Sequence, residues 1–295
     1  MAGILRAPLR RCAAVLLMAL LISSLPATSG RADTRAAAPA AAELVAAVTA
    51  AYPAIGTVGV AVAQQPVPVA GSSIEGADAR AARAVGAVAD NGAAANRPFP
   101  TASMVKLFLA EDILHRARTQ DLTLGPADFV QLQAMIRSSD DPAASDLWVR
   151  FDGARAVAAV AARYGLTGTA PPAVWGRWGE TTTTARDLAR FLALLPAVAH
   201  PADAGALLAW MRTATPVAAD GFDQRFGFFD AAPGPVGVKQ GWMCCVGGNR
   251  HLHSVGVVGR RVVVLLSEVP RSLGDDEARA ALTAAASALE LPRRP

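Results

Sequence analysis

The 295-residue sequence predicts a two-lobe α/β + α fold: a five-stranded, mainly antiparallel sheet flanked by N- and C-terminal helices, with an all-α lobe inserted. Three observations lead there. Strand-like apolar runs lie towards the two ends, and a long helical stretch separates them. Two strands before that stretch and three after it make poor sheets separately, so they are expected to share one. About 265 residues remain once a leader is set aside, enough for one large domain with a good core.

Glu43–Tyr52 has helical spacing and leads into Ile55–Gln64, a buried strand. A loop rich in Pro, Gly and Ser follows, then Ala84–Ala89 as a second strand before the turn at Asn91-Gly92. Helical patterns recur near Met104–Arg118, Pro126–Arg137, Ala143–Arg150, Ala154–Tyr164, Thr184–Leu195 and Ala202–Arg212. Strands return at Val236–Met243, His251–Val258 and Arg261–Val269, with Gly259-Arg260 as a tight link. Asp275–Leu289 closes the chain as an amphipathic helix, with Ser272 or Asp275 as its cap. The sheet lobe is thus expected over 43–100 and 214–295, and the helical lobe over 101–213. A cleft belongs at their junction.

Arg6, Arg10 and Arg11 precede an apolar run from Ala13 to Leu25, and small residues follow through Ala27, Ser29 and Ala32. That is the pattern of a secretory signal peptide over 1–32, with an uncleaved anchor as the competing reading; cleavage makes 33–295 the mature domain, secreted or in the cell envelope, with no stable membrane span. Ala36–Ala42 reads as a short tether. The formal charge of +4 falls to about zero once Arg6, Arg10, Arg11 and Arg31 are removed, which leaves no electrostatic footprint for nucleic acid. Among 28 basic residues only Lys106 and Lys239 are lysines. Arginine keeps its proton at working pH, whereas a desolvated lysine can act as a base, so these two amines are candidate functional groups.

Ser103-Met-Val-Lys106 opens the helical lobe, and residues three apart share a helix face. A serine needs an adjacent base to become a nucleophile, and a neutral lysine within reach supplies one. Unpaired amides at a helix start favour the developing negative charge. Ser139-Asp140-Asp141 falls at the join of two helices. Lys239-Gln240-Gly241-Trp242 falls on the first strand of the C-terminal group, where glycine lets a ligand backbone come close.

S-x-x-K, an S-D-N-like triplet and a K-T-G-like strand, in that order, form the signature of penicillin-recognising serine enzymes. From about Glu43 onward the chain resembles a class A β-lactamase-related serine hydrolase. Arg97–Lys106 is similar to that family's run into its nucleophile. Met135–Ser145 is similar to its S-D-N-x-A-A-N stretch, which selects Ser139 over Ser138. Thr181–Thr184 is similar to the threonine run after its omega loop. The resemblance implies that Ser103 attacks an acyl carbonyl while Lys106 manages its proton, and that Ser139 relays a proton to the leaving nitrogen. It implies that Lys239 holds a substrate carboxylate and polarises Ser139, with Asp141, Gln240, Gly241 and Trp242 completing the binding side. Backbone amides of Ser103 and Trp242 would form the oxyanion hole, worth about 3 kcal/mol per donor. The implied substrate is a small β-lactam or peptidoglycan-like amide, handled by a monomer without cofactor or metal. A D,D-peptidase on wall stem peptides and a non-catalytic binder of wall fragments or an exported protein are the alternative readings.

Three departures bear on turnover. Asp141 stands where the family has asparagine, and an ionised carboxylate only accepts hydrogen bonds. Gln240 replaces the threonine of K-T-G. No acid occurs from Ala154 through Gly179, so Glu180, after Arg177-Trp178, is either the deacylating base or a structural acid. Cys244-Cys245 is expected either as a vicinal disulfide or as two thiols. His251 and His253 share a strand face, but the cysteines lack the usual zinc spacing. His115 and His200 are expected on helix surfaces without a role.

Overall fold

The structure, a computed structural model, describes residues 40–66, 88–119, 122–231 and 236–289. The expected leader at 1–32, the first part of the alanine-rich tether and most of the expected strand Ala84–Ala89 lie outside the described residues. Among them, no helix is long and apolar enough to cross a membrane.

Helix α1 (Ala41–Ala51) begins inside the expected tether, because alanine favours a helix and the Ala40 amide finds an acceptor in Glu43. It leads into β1 (Thr57–Gln64). The short β2 (Ala89–Asp90) pairs with β1, and Asn91 fixes the turn by bonding the Val60 amide and the Val58 carbonyl. After the helical block come β5 (Gly237–Val246), β6 (Asn249–Val258) and β7 (Arg261–Pro270), and the sheet order is β2-β1-β7-β6-β5, antiparallel throughout. The first and last parts of the chain therefore do share one sheet. Val258 pairs with Arg261 across Gly259-Arg260, and Gly259 takes a φ of 58°, the left-handed conformation such a two-residue turn demands.

Both faces of the sheet are covered, and period-two alternation divides the residues between them. Val58, Val60, Val62, Val263 and Leu265 face α1 and the C-terminal α8 (Asp275–Ser287). Ala61, Ala63, Val262, Val264 and Leu266 face the helical block, where α6 (Ala185–Val198) lies on β1 and β7. The cap of α8 is Gly274, whose N–H donates to Glu277 at 2.7 Å, and not Ser272 or Asp275. A glutamate one turn into the helix reaches the free amide at its start.

The helical block is built around α2 (Val105–Thr119), buried from Val105 through Leu114 and touching α3 (Pro126–Arg137), α4 (Asp141–Arg150), α5 (Gly153–Tyr164) and α7 (Pro201–Arg212). Phe108 meets Phe191 of α6 edge to face at 5.0 Å, an arrangement worth about 1 kcal/mol beyond its area. A two-residue ribbon, β3 (Phe99–Pro100) with β4 (Thr182–Thr183), ties the chain before α2 to the chain before α6.

Candidate active site

Ser103 sits in a 3-10 turn, Ala102–Met104, that runs directly into α2. The turn is held from two sides: Thr101 donates its amide to Thr181, and His253 bonds the Pro100 carbonyl at 2.7 Å. Strand β5 passes the turn closely, and a Cβ on Gly241 would stand 3.3 Å from the Ser103 nitrogen. Gly241 is thus where the sheet can approach the nucleophile. Ser103 is 4% exposed and borders a cavity of about 210 Å³, shared with Asp141, Trp178, Gly179, Trp242 and Met243.

Behind Ser103 the two lysines converge on one hydroxyl. Ser139 has a φ of 53°, which turns the chain between α3 and α4, while Asp140 caps α4 by accepting from the Ala143 amide. Lys239 Nζ lies 2.8 Å from Ser139 Oγ and donates to the Gln240 carbonyl at 2.8 Å. Lys106 Nζ donates to the Ser139 carbonyl at 2.6 Å and to Asp141 Oδ1 at 2.5 Å, and lies 3.3 Å from Ser139 Oγ. Among the described residues no hydrogen bond joins Lys106 to Ser103. The neighbouring Ser138 turns back to the Ala134 carbonyl.

Both amines are buried. Burial pushes Lys106 below its ordinary value, and Asp141 opposes that shift. Lys239 is driven well below the ordinary lysine range by burial and then by the Lys106 charge.

Gln240 corrects the expectation from sequence. Its side chain is buried away from the cleft, with Nε2 donating to the carbonyls of Gln224 and Phe226. Alternation along β5 puts Lys239 and Gly241 on the cleft side and Gln240 opposite. Trp242 borders the cavity, stacked on Phe222 at 4.5 Å and donating to Asp220.

Glu180 ends a 3-10 turn, Trp178–Glu180, and pairs with Arg177 at 3.1 Å, outside the lining of the cavity beside Ser103. The position directly after Arg177-Trp178 is Gly179, which has no side chain to offer as a base. Two residues that sequence reasoning passed over shape the site. Trp178 covers Lys106 at 4.9 Å and donates to Ser145, and Met243 lies against Gly179. The sequence signals were an aromatic in an acid-poor loop for Trp178 and, for Met243, the strand alternation that sets it on the face of Lys239 and Gly241.

Cys244 and Cys245 are bonded to each other on the exposed end of β5. His253 is fully buried, and both of its nitrogens are engaged: Nε2 donates to Pro100 and Nδ1 accepts from the Ser267 amide. These residues do not converge as metal ligands, and among the described residues no group of three or more metal-binding side chains occurs. His115 is half-buried, whereas His200 is exposed and caps α7.

No protein-family model matches this chain. The "Putative lipoprotein LppW" of Mycobacterium tuberculosis is 40% identical over 208 residues, which are 69% of this chain and 65% of that protein. The match thus spans less than two thirds of the relative's length. A class A β-lactamase of Bacteroides cellulosilyticus superposes with a TM-score of 0.61 at 14% identity, over 85% of this chain and 97% of that one. A β-lactamase of Xanthomonas campestris gives 0.60 at 17% identity, over 84% and 96%. A variant of an ancestral Gram-negative class A enzyme gives 0.57 at 20%, over 84% and 97%. At such identities the likeness establishes a β-lactamase-like fold, and the fold alone.

Proposed function

We propose that this chain is an exported serine acyl-acceptor, which takes an acyl group from a β-lactam or a peptidoglycan-like amide onto Ser103 and releases it slowly. One observation carries the reading: Ser103 heads a buried helix on the wall of a small cavity, with Lys106, Ser139 and Lys239 linked by hydrogen bonds behind it. In this reading the amides of Ser103 and Trp242 receive the developing oxyanion, and the Ser139 hydroxyl passes a proton to the departing nitrogen. Slow release follows from the deacylation side. Glu180 is held by Arg177, and Gly179 provides no base to activate water. The reading is closer to a D,D-peptidase, which stays acylated by penicillins, than to a rapid β-lactamase. Placement at the cell envelope is supported by the leader pattern and by the mycobacterial relative named as a lipoprotein.

One observation favours a second reading, a non-catalytic binder of wall fragments. The Lys106 amine is engaged by Asp141 instead of by Ser103. Intact-mass spectrometry of the mature protein mixed with a penicillin separates the two. A long-lived adduct that is absent in Ser103→Ala supports the acyl-acceptor. An adduct that vanishes as drug is hydrolysed supports rapid turnover. No adduct with either a penicillin or a D-Ala-D-Ala thioester, with wall-fragment binding intact in Ser103→Ala, supports the binder.

A further inference from the structure

We infer that Asp141 fixes the positive charge on Lys106 and thereby leaves Lys239 as the neutral amine and proton acceptor of the cleft, reached through Ser139. The inference rests on the acyl-acceptor reading for its chemistry, but its geometry stands independently.

Donors and acceptors balance in this state, and the carboxylate bonded to Lys106 selects it over the state with the two charges exchanged. An ammonium has three N–H donors and no lone pair. Lys106 Nζ faces three oxygens within reach, and two of them, Asp141 Oδ1 and the Ser139 carbonyl, accept only. A charged Lys106 satisfies all three with its three hydrogens, the third going to Ser139 Oγ. Ser139 Oγ then holds one proton to donate, and the other group beside it is Lys239 Nζ at 2.8 Å. That proton finds a lone pair only if Lys239 is neutral, in which case one Lys239 hydrogen still satisfies the Gln240 carbonyl. Among the described residues Lys239 has no carboxylate partner of its own, and a second ammonium on the same hydroxyl would be buried beside a like charge. The charged groups acting on Lys106 are Asp141, Asp140 and Asp220, and those acting on Lys239 are Lys106 and Asp141.

The step balances without an outside reactant. As Ser103 Oγ bonds to the acyl carbon, its proton passes to Ser139 Oγ while Ser139's own proton moves to Lys239 Nζ. As the acyl C–N bond breaks, the same path returns a proton to the leaving nitrogen. Lys106 stays an ammonium throughout and Asp141 is a positioning residue. An asparagine at 141 would remove the anion that holds the charge there.

The chain has only two lysines, so labelling lysine with carbon-13 at Cε gives two NMR signals whose shifts report each amine's charge. Lys106→Arg or Lys239→Arg, whichever folds, assigns both. At neutral pH the Lys106 signal is expected at the ammonium position and the Lys239 signal at the amine position. Asp141→Asn should lower the Lys106 titration and raise that of Lys239. Finding Lys239 charged and Lys106 neutral, or finding both titrations unmoved in Asp141→Asn, would overturn the assignment. This readout needs no turnover. Absence of a penicillin adduct therefore sinks the acyl-acceptor reading alone, and a reversed charge pattern sinks this inference alone.

Discussion

Ser139 is the residue on which the cleft depends most, because one oxygen serves two amines. Removing it in Ser139→Ala leaves Lys239 with a single partner and breaks the link between the two lysines. The expected outcome is a loss of about 10²–10⁴ in the rate of Ser103 acylation with the fold retained, followed as adduct growth by rapid-quench mass spectrometry. A loss under threefold would remove Ser139 from the proton path. Gly241 makes a separate demand, since any side chain there meets the Ser103 nitrogen and the Thr101 carbonyl at 3.3 Å. Gly241→Val is expected to push β5 from the nucleophile turn, costing about 1–3 kcal/mol of stability and most of the labelling. Wild-type labelling in that variant would show that the close approach of strand and turn is dispensable.

At the scale of elements, α2 links core to chemistry, since the helix that buries Phe108 also carries Lys106. Phe108→Ala should cost about 3–5 kcal/mol in denaturant unfolding, and acylation should fall with the fraction folded. A cost below 1 kcal/mol would mean that the block repacks around the missing ring. Helices such as Pro126–Arg137 were legible because each hides a face at the helical period, and strands such as Arg261–Pro270 because a short continuous apolar, β-branched run marks a strand buried on both faces. The first-to-last sheet pairing was legible because neither group of strands suffices alone. Ser103, Lys106, Ser139 and Lys239 were legible as spaced motifs on those elements. Trp178 was not, because its placement arises from a loop folding against the sheet and has no local period, whereas Met243 follows the same alternation of β5 as Lys239 and Gly241. Gln240 was misread as substrate-facing, although the alternation of β5 places it opposite Lys239. The charge pattern around Asp141 was half legible: the sequence marked the carboxylate as foreign to the motif, but only the folded chain pairs it with Lys106.

At the scale of the whole molecule, His253 couples the sheet to the segment that carries the nucleophile, joining β6 to Pro100 and to Ser267 of β7. This arrangement requires a neutral ring, since Nδ1 must accept from the Ser267 amide. Burial, aided by His251, pushes its pKa from 6.5 down to about 3. Between those values the unfolded chain binds a proton that the folded chain refuses. Stability must therefore fall as pH drops from 6.5 towards 3, by up to about 1.4 kcal/mol per pH unit from this ring. Arg-paired carboxylates such as Asp128, held below the ordinary carboxylate range by the Arg150 hydrogen bond, begin to lose their contribution near pH 3.8, at the acid end of this window, and go on losing it below. His251, also lowered by burial, acts in the same direction below pH 6.5. Unfolding free energies measured from pH 7 to pH 4 should show this acid loss in the wild type. His253→Gln, less stable at neutral pH, should lose about one proton's worth of the slope. An identical slope in the variant would mean that the ring is not held neutral, and that the nucleophile segment is anchored by other contacts.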